Sequence, residues 1–220
     1  MTHSTRVSER FWDRFAKRYA KKPVANLVLY QKKLEVTQEY LKSDMYALEF
    51  GCGTGSTALM HAPFVEHYQA IDVSSKMIDI CKQKLVDQPR ENLYFSCLPF
   101  ESLLSGESSY DAILAMSILH LINDPEKAIC KVFKLLKPGG IFISSTTCIE
   151  ETMAWFRFIA PIGHAVRLLP KIQVFSKKKL ELMLLNAGFK IDYRMETHDK
   201  KSAHFFEVSF DTKNKGTATI

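Results

Sequence analysis

Between positions 49 and 55 the chain reads Glu49-Phe-Gly51-Cys-Gly53-Thr-Gly55, three alternate glycines behind one acid. Glycines so spaced let the backbone turn sharply and let a ligand lie against the main chain. The apolar run Met45–Phe50 leads directly into them, as a buried parallel strand does. A second strand-like run, His67–Asp72, ends in an acid 21 positions after Gly51. A carboxylate there can accept hydrogen bonds from both hydroxyls of a ribose. Loop, strand and acid together point to a nucleoside-bearing ligand beyond the carboxyl ends of parallel strands.

Two ligand classes share this logic. A dinucleotide needs GxGxxG or GxGxxA to seat a pyrophosphate on a helix N-terminus, and Gly53-Thr-Gly55-Ser-Thr-Ala58 fits the looser form. S-adenosylmethionine has no phosphate. It suits GxGxG with an acid before it to balance its cationic end, and Glu49 with Gly51, Gly53 and Gly55 matches that better. Glu49 has a second reading, as a brace for the loop. His120 follows a third strongly apolar strand, Tyr110–Met116, near the expected point of substrate access. An imidazole there could take a proton from an acceptor; the competing reading has it capping or packing a short helix. The seven histidines lack metal-ligand spacing with acids, so no metal is expected.

The elements that must position these groups alternate in type. Residues 6–21 form an amphipathic helix with Phe11, Phe15 and Tyr19 on one face, broken by Pro23. A second helix covers roughly 24–42, with Leu27, Tyr30, Leu34 and Leu41 inward. Helix Ser74–Val86 is capped by Ser74 or Ser75, strand Leu93–Cys97 follows, and helix Asp124–Leu136 has Asp124 as cap and Pro125 in its first turn. That helix stops at Lys137-Pro138-Gly139-Gly140 before strand Ile141–Thr146. Helix Ser176–Asn186 stops near Gly188. Strands Lys190–Glu196 and His204–Phe210 flank a turn at Asp199–Ser202. Repeated strand–helix units imply a parallel sheet covered on both faces. Residues 149–175 interrupt the rhythm: an apolar stretch with Arg157, His164, Arg167 and Lys171, read as a substrate lid, a lipid-touching surface, a dimer contact or extra core.

Composition narrows the field. The 220 residues are 46% hydrophobic and 25% charged, which excludes a disordered chain, a collagen-like fibre and a coiled coil. The formal charge of +6 reads as scattered, with lysine clusters at 21–22, 32–33 and 177–179. With no basic stripe, nucleic acid is not an expected partner; a small anionic substrate or peripheral lipid contact stays open. Five unpaired-looking cysteines, no apolar signal-peptide core and no uncharged run long enough to span a bilayer suggest a cytoplasmic setting. One domain covers 1–220: an N-terminal helical cap (1–43), the insertion (149–175) and a flexible tail (211–220). Monomer and homodimer both remain open.

The motifs, in order, resemble those of class I S-adenosylmethionine-dependent methyltransferases of the small-molecule type. They are Leu48-Glu-Phe-Gly-Cys-Gly-Thr-Gly55, Ala70-Ile-Asp-Val-Ser-Ser-Lys-Met77, Tyr110-Asp-Ala-Ile-Leu114 with Ser117-Ile-Leu-His120, Leu136-Lys-Pro-Gly-Gly140, and Phe175-Ser176 leading to Ala187-Gly-Phe189. The resemblance implies a three-layer α/β/α Rossmann-like fold, a seven-stranded mostly parallel sheet with a C-terminal antiparallel strand. It implies S-adenosyl-L-methionine as cofactor and a small-molecule methyl acceptor, apolar or lipid- or quinone-like. Glu49 and the glycines Gly51, Gly53 and Gly55 would hold the methionine end, under Tyr19, with Cys52 of the same loop a further cofactor-binding candidate. Asp72 would bind the ribose and Met77 would lie near the adenine, Val73, Leu98 and Pro99 are further cofactor-binding candidates, and Met116 and Ser117 would offer backbone contacts. His120 stands as the candidate base. The stretch Phe95–Phe100 lacks the acid this family often places after its third strand; the first is Glu101. An NAD(P)-dependent oxidoreductase and a non-catalytic scaffold are the competing classes.

Overall fold

A computed structural model describes residues 3–147, 172–196 and 204–212. The element order is α1 (His3–Ala20), α2 (Leu27–Tyr40), β1 (Tyr46–Phe50), α3 (Ser56–His61), β2 (His67–Asp72), α4 (Ser75–Asp87), β3 (Leu93–Cys97), β4 (Tyr110–Met116), α5 (Pro125–Leu135), β5 (Leu136–Thr147), α6 (Lys177–Ala187), β6 (Phe189–Glu196) and β7 (His204–Asp211). Seven strands form one sheet in the order β3-β2-β1-β4-β5-β7-β6. Only β7 runs antiparallel to its neighbours, β5 and β6. The strand order reverses between β1 and β4, which is where open α/β sheets bind ligands.

Local chemistry accounts for the boundaries. Ser74 Oγ accepts from Met77 N–H at 3.1 Å and caps α4. Asp124 Oδ1 accepts from Lys127 N–H at 3.0 Å and caps α5, with Pro125 at its first position. Ser176 caps α6, which ends on Gly188 at φ 100°, the left-handed closure glycine supplies. The sheet is buried on both faces: Leu48, Phe50, Ile113, Ala115 and Phe142 pack toward α5 and α6, while Ala47, Leu114, Ile141 and Ile143 pack toward α2, α3 and α4.

Several expectations are corrected. Helix α5 does not close on the glycine pair; Leu136 is already extended, and β5 begins there. Tyr110 pairs with Leu136 but Ala112 with Ile141, so Lys137-Pro-Gly-Gly140 bulges within the strand, with Gly139 at φ 77°. In α2 the buried residues are Leu34, Val36 and Thr37, while Leu27 is exposed at the first turn. In α1 the buried residues are Thr5, Val7 and Ala16; Phe11 and Phe15 are half-buried and Tyr19 is exposed. The short helix α3 was not anticipated. Cys148, most of the 149–175 insertion (149–171), the Asp199–Ser202 turn and the end of the tail (213–220) lie outside the described residues. Among the described residues no helix is long and apolar enough to cross a membrane.

Candidate active site

Strand β1 delivers the chain into the glycine loop with Glu49 buried behind it. Gly51, Gly53 and Gly55 all have positive φ, 67°, 54° and 73°. Each is needed for a different reason. A Cβ on Gly51 would overlap the Ile118 side chain, and one on Gly55 would lie 2.8 Å from Cys81 Sγ and from Phe95 Cζ. A Cβ on Gly53 would meet nothing within 4 Å, because that face opens into a cleft. The loop is fastened from below: Cys52 N–H donates to Ile71 O at 3.1 Å, Gly55 N–H to Cys52 O at 3.0 Å, and Cys81 Sγ contacts Gly53 O at 3.1 Å.

Asp72 closes the loop from the side. Its Oδ2 accepts from Gly53 N–H at 2.9 Å and its Oδ1 from Ser74 N–H at 2.8 Å. Both oxygens keep a lone pair for a ligand hydroxyl. Burial pushes its carboxyl up to about 6, against the pull of those two N–H groups. Glu49 is more deeply buried. Its Oε2 accepts from Tyr68 Oη at 2.8 Å, and desolvation drives its carboxyl up to about 8.

A cleft opens above the loop. Of the residues expected at the cofactor, Gly51, Gly53, Asp72, Val73, Met77, Leu98, Pro99, Met116, Ser117 and Tyr19 line it. Glu49, Cys52 and Gly55 do not; they lie beneath or within the loop. His120 sits in a single turn, 119–121, after β4. Its carbonyl accepts from Gln173 N–H at 2.7 Å, and it is its neighbours Ile118 and Leu121 that form the wall. Ser117 takes φ 60°, rare for a residue with a side chain, and its N–H donates to Ser145 O at 2.6 Å. That strain turns the backbone after β4 into the cleft.

Residues beyond the expected set complete the walls. Phe50 and Phe100 stack at 4.0 Å, and both line the cleft with Glu101. Lys131 pins that segment by donating to the carbonyls of Phe100, Glu101 and Leu103 at 2.8, 3.1 and 2.9 Å. Helix α1 adds Thr5, Ser8 and Trp12 beside the expected Tyr19. Their spacing of 3, 4 and 7 is a helical stripe visible in the sequence, but the larger Phe11–Phe15–Tyr19 stripe masks it. Polar ties help hold α1, with Val7 and Ala16 buried beside them: Ser4 Oγ donates to Asn123 Oδ1 at 2.6 Å, and Asp13 Oδ1 accepts from Ser74 Oγ at 2.6 Å and Lys76 N–H at 3.1 Å.

A family profile described as a methyltransferase domain matches residues 48–144, the stretch from the glycine loop to β5. That match takes in just under half of the chain, and over it the chain is similar to a methyltransferase domain. The chain is 27% identical over 136 residues to a ubiquinone biosynthesis O-methyltransferase of Coxiella burnetii, covering 62% of this chain and 57% of that protein. It is 29% identical over 120 residues to a demethylmenaquinone methyltransferase of Leptospira interrogans, covering 53% and 48%. The chain thus spans about half the length of the curated relatives it matches. Its fold superposes on the N-methyltransferase NodS from Bradyrhizobium japonicum, solved with S-adenosyl-L-homocysteine, at a TM-score of 0.72 and 14% identity. That match covers 96% of this chain and 100% of that one.

Proposed function

We propose that this protein binds S-adenosyl-L-methionine in the cleft and moves its methyl group to a small-molecule acceptor. The observation that carries the reading is Asp72 at the tip of β2, fastened to Gly53 N–H and Ser74 N–H and still facing the cleft. The open face of Gly53 fits a ligand laid along the backbone. Asp72 would accept the ribose hydroxyls. Met77, Leu98, Pro99 and Phe100 would enclose the adenine by apolar contact, and Glu101 supplies the acid missing immediately after β3. Met116 and Ser117 would present backbone groups. Glu49 would act from beneath the loop, its carboxyl balancing the cationic methionine end.

The bound cofactor supplies a methyl group already activated by a sulfonium. The protein's task is then alignment and water exclusion, and effective molarities for positioning reach about 10⁵ M or more. Trp12 and Tyr19 of α1 line the cleft and would cover the reacting end. His120 is the proton acceptor we would test, for an acceptor that must lose a proton. The quinone methyltransferases among the relatives favour an apolar, ring-bearing acceptor. A cytoplasmic setting fits the free thiols of Cys52, Cys81, Cys97 and Cys130.

Thermal unfolding with S-adenosylmethionine, S-adenosylhomocysteine, NAD and NADP tests the reading. Ligand at about 100 times its Kd stabilises by about 2.7 kcal/mol, a rise of several degrees for a domain of this size. A rise with the two sulfur compounds alone is expected. A rise with a nicotinamide nucleotide instead overturns the proposal, and no rise with any of them leaves only a scaffold role.

A further inference from the structure

The positive charge of this protein is not spread over it. Of its 30 Lys and Arg, seven fall between Arg14 and Leu34, and none of its 24 Asp and Glu does, so the remainder is close to neutral. The stretch is the end of α1, the turn broken by Pro23 and the first half of α2. Lys33 turns inward, donating to Ser145 Oγ at 2.7 Å. The other six, Arg14, Lys17, Arg18, Lys21, Lys22 and Lys32, are exposed. The two lysine clusters that read as scattered in sequence therefore share one helix–turn–helix corner.

Apolar groups project from the same corner. Leu27 is 67% exposed and Val28 82%, and Val24 in the turn is also exposed. They do no visible work for the fold: the first turn of α2 is already capped by Asn26, whose Oδ1 accepts from Leu29 N–H at 2.9 Å. Beside them Phe11, Trp12, Phe15 and Tyr19 form an open groove rimmed by Arg18, Lys21 and Lys22. The groove's rings hold one another, Phe11 against Phe15 at 4.6 Å and Trp12 edge-on to Tyr19 at 6.0 Å.

Cations, protruding aliphatics and tryptophan and tyrosine on one surface match the three layers of an anionic bilayer. Ammonium and guanidinium groups meet the phosphates, aliphatics reach the acyl boundary, and amphipathic rings sit between. We propose that the corner formed by the end of α1 and the start of α2 docks this protein on membranes rich in anionic phospholipid. Trp12 and Tyr19 line both the groove and the cofactor cleft. Docking therefore brings the cleft mouth to the lipid, where an apolar acceptor is dissolved. The docking itself does not depend on the methyltransfer reading; only the delivery of acceptor does.

The test is flotation of the full chain with vesicles of phosphatidylcholine alone and of phosphatidylcholine mixed with phosphatidylglycerol, at low and high salt. Wild type should float with the mixed vesicles, less at high salt, and not with the neutral ones. Lys21→Gln/Lys22→Gln and Leu27→Ser/Val28→Ser should each weaken binding by about tenfold or more. All four side chains lie outside the cleft, and melting curves check that the variants fold. Calorimetric binding of S-adenosylhomocysteine to the same proteins reports separately on the cofactor reading. Equal flotation with both vesicle types, no flotation, or flotation indifferent to both substitution pairs overturns the proposal. Preference for a single-stranded oligonucleotide in direct competition with mixed vesicles overturns it in favour of nucleic acid.

Discussion

Replacing Glu49 by glutamine swaps a carboxyl held near pH 8 for a group of the same shape that cannot ionise. In the folded protein Glu49 is enclosed, accepts one hydrogen bond from Tyr68 Oη, and keeps its proton to about pH 8. In the unfolded chain it loses that proton near 4.5. Between those values folding takes up a proton, so the contribution of Glu49 to stability is full below about 4.5 and is lost as pH rises to 8. The slope is about 1.4 kcal/mol per pH unit, and the whole window amounts to about 4 to 5 kcal/mol. Glu207, raised to about 8 by burial, titrates in both proteins and cancels in the difference; Asp72, raised to about 6, helps raise Glu49 and so belongs to the same effect. Glu49→Gln should therefore gain on wild type steadily across the window, by about 10 °C or more in melting temperature at the upper end. The assay is thermal or urea unfolding of both proteins at closely spaced pH values. A difference that stays flat, or shrinks as pH rises, refutes the account of Glu49 as a neutral acid under the loop. Calorimetry adds a second reading. A cation arriving above the loop should expel the proton, so S-adenosylmethionine binding at pH 7 should release close to one proton from wild type and none from Glu49→Gln.

Gly53→Ala adds a methyl to the open face of the loop at φ 54°. It should cost about 1 to 2 kcal/mol in stability yet abolish most S-adenosylhomocysteine binding by calorimetry. Gly51→Ala overlaps Ile118 instead and should show its larger effect in the melting curve. Asp72→Asn leaves one oxygen where two accept from Gly53 N–H and Ser74 N–H, and should lower both stability, by about 1 to 3 kcal/mol, and S-adenosylhomocysteine affinity. Lys33 is held down to about 8 by burial, from 10.5. Wild-type stability should therefore rise between those two pH values, and Lys33→Met should abolish that rise in unfolding measurements.

Strands β2, β3 and β4 were legible to the residue, because each is a short apolar run closed by polar or turn residues. The antiparallel closing strand was legible only through the family likeness. Lys137-Pro-Gly-Gly140 misled because the residues that end a helix are also those a bulge requires, and pairing with β4 decided between them. In the site, Gly51, Gly53 and Asp72 announced themselves by spacing. Glu49 did not reveal its depth: sequence places it before the loop, but only the packing of Tyr68 against it shows that it faces away from the cleft wall. Phe100, Glu101 and Asn123 come to the cleft through connections whose course no local pattern fixes.

Helix α1 supplies one side of the cleft and is fastened to the rest through polar ties at Asn123 and at Ser74 with Lys76. Val7 and Ala16 of α1 are buried as well, so apolar packing holds the helix beside those ties. Because Trp12 and Tyr19 belong both to the cleft and to the open groove, whatever shifts the end of α1 reshapes both surfaces at once.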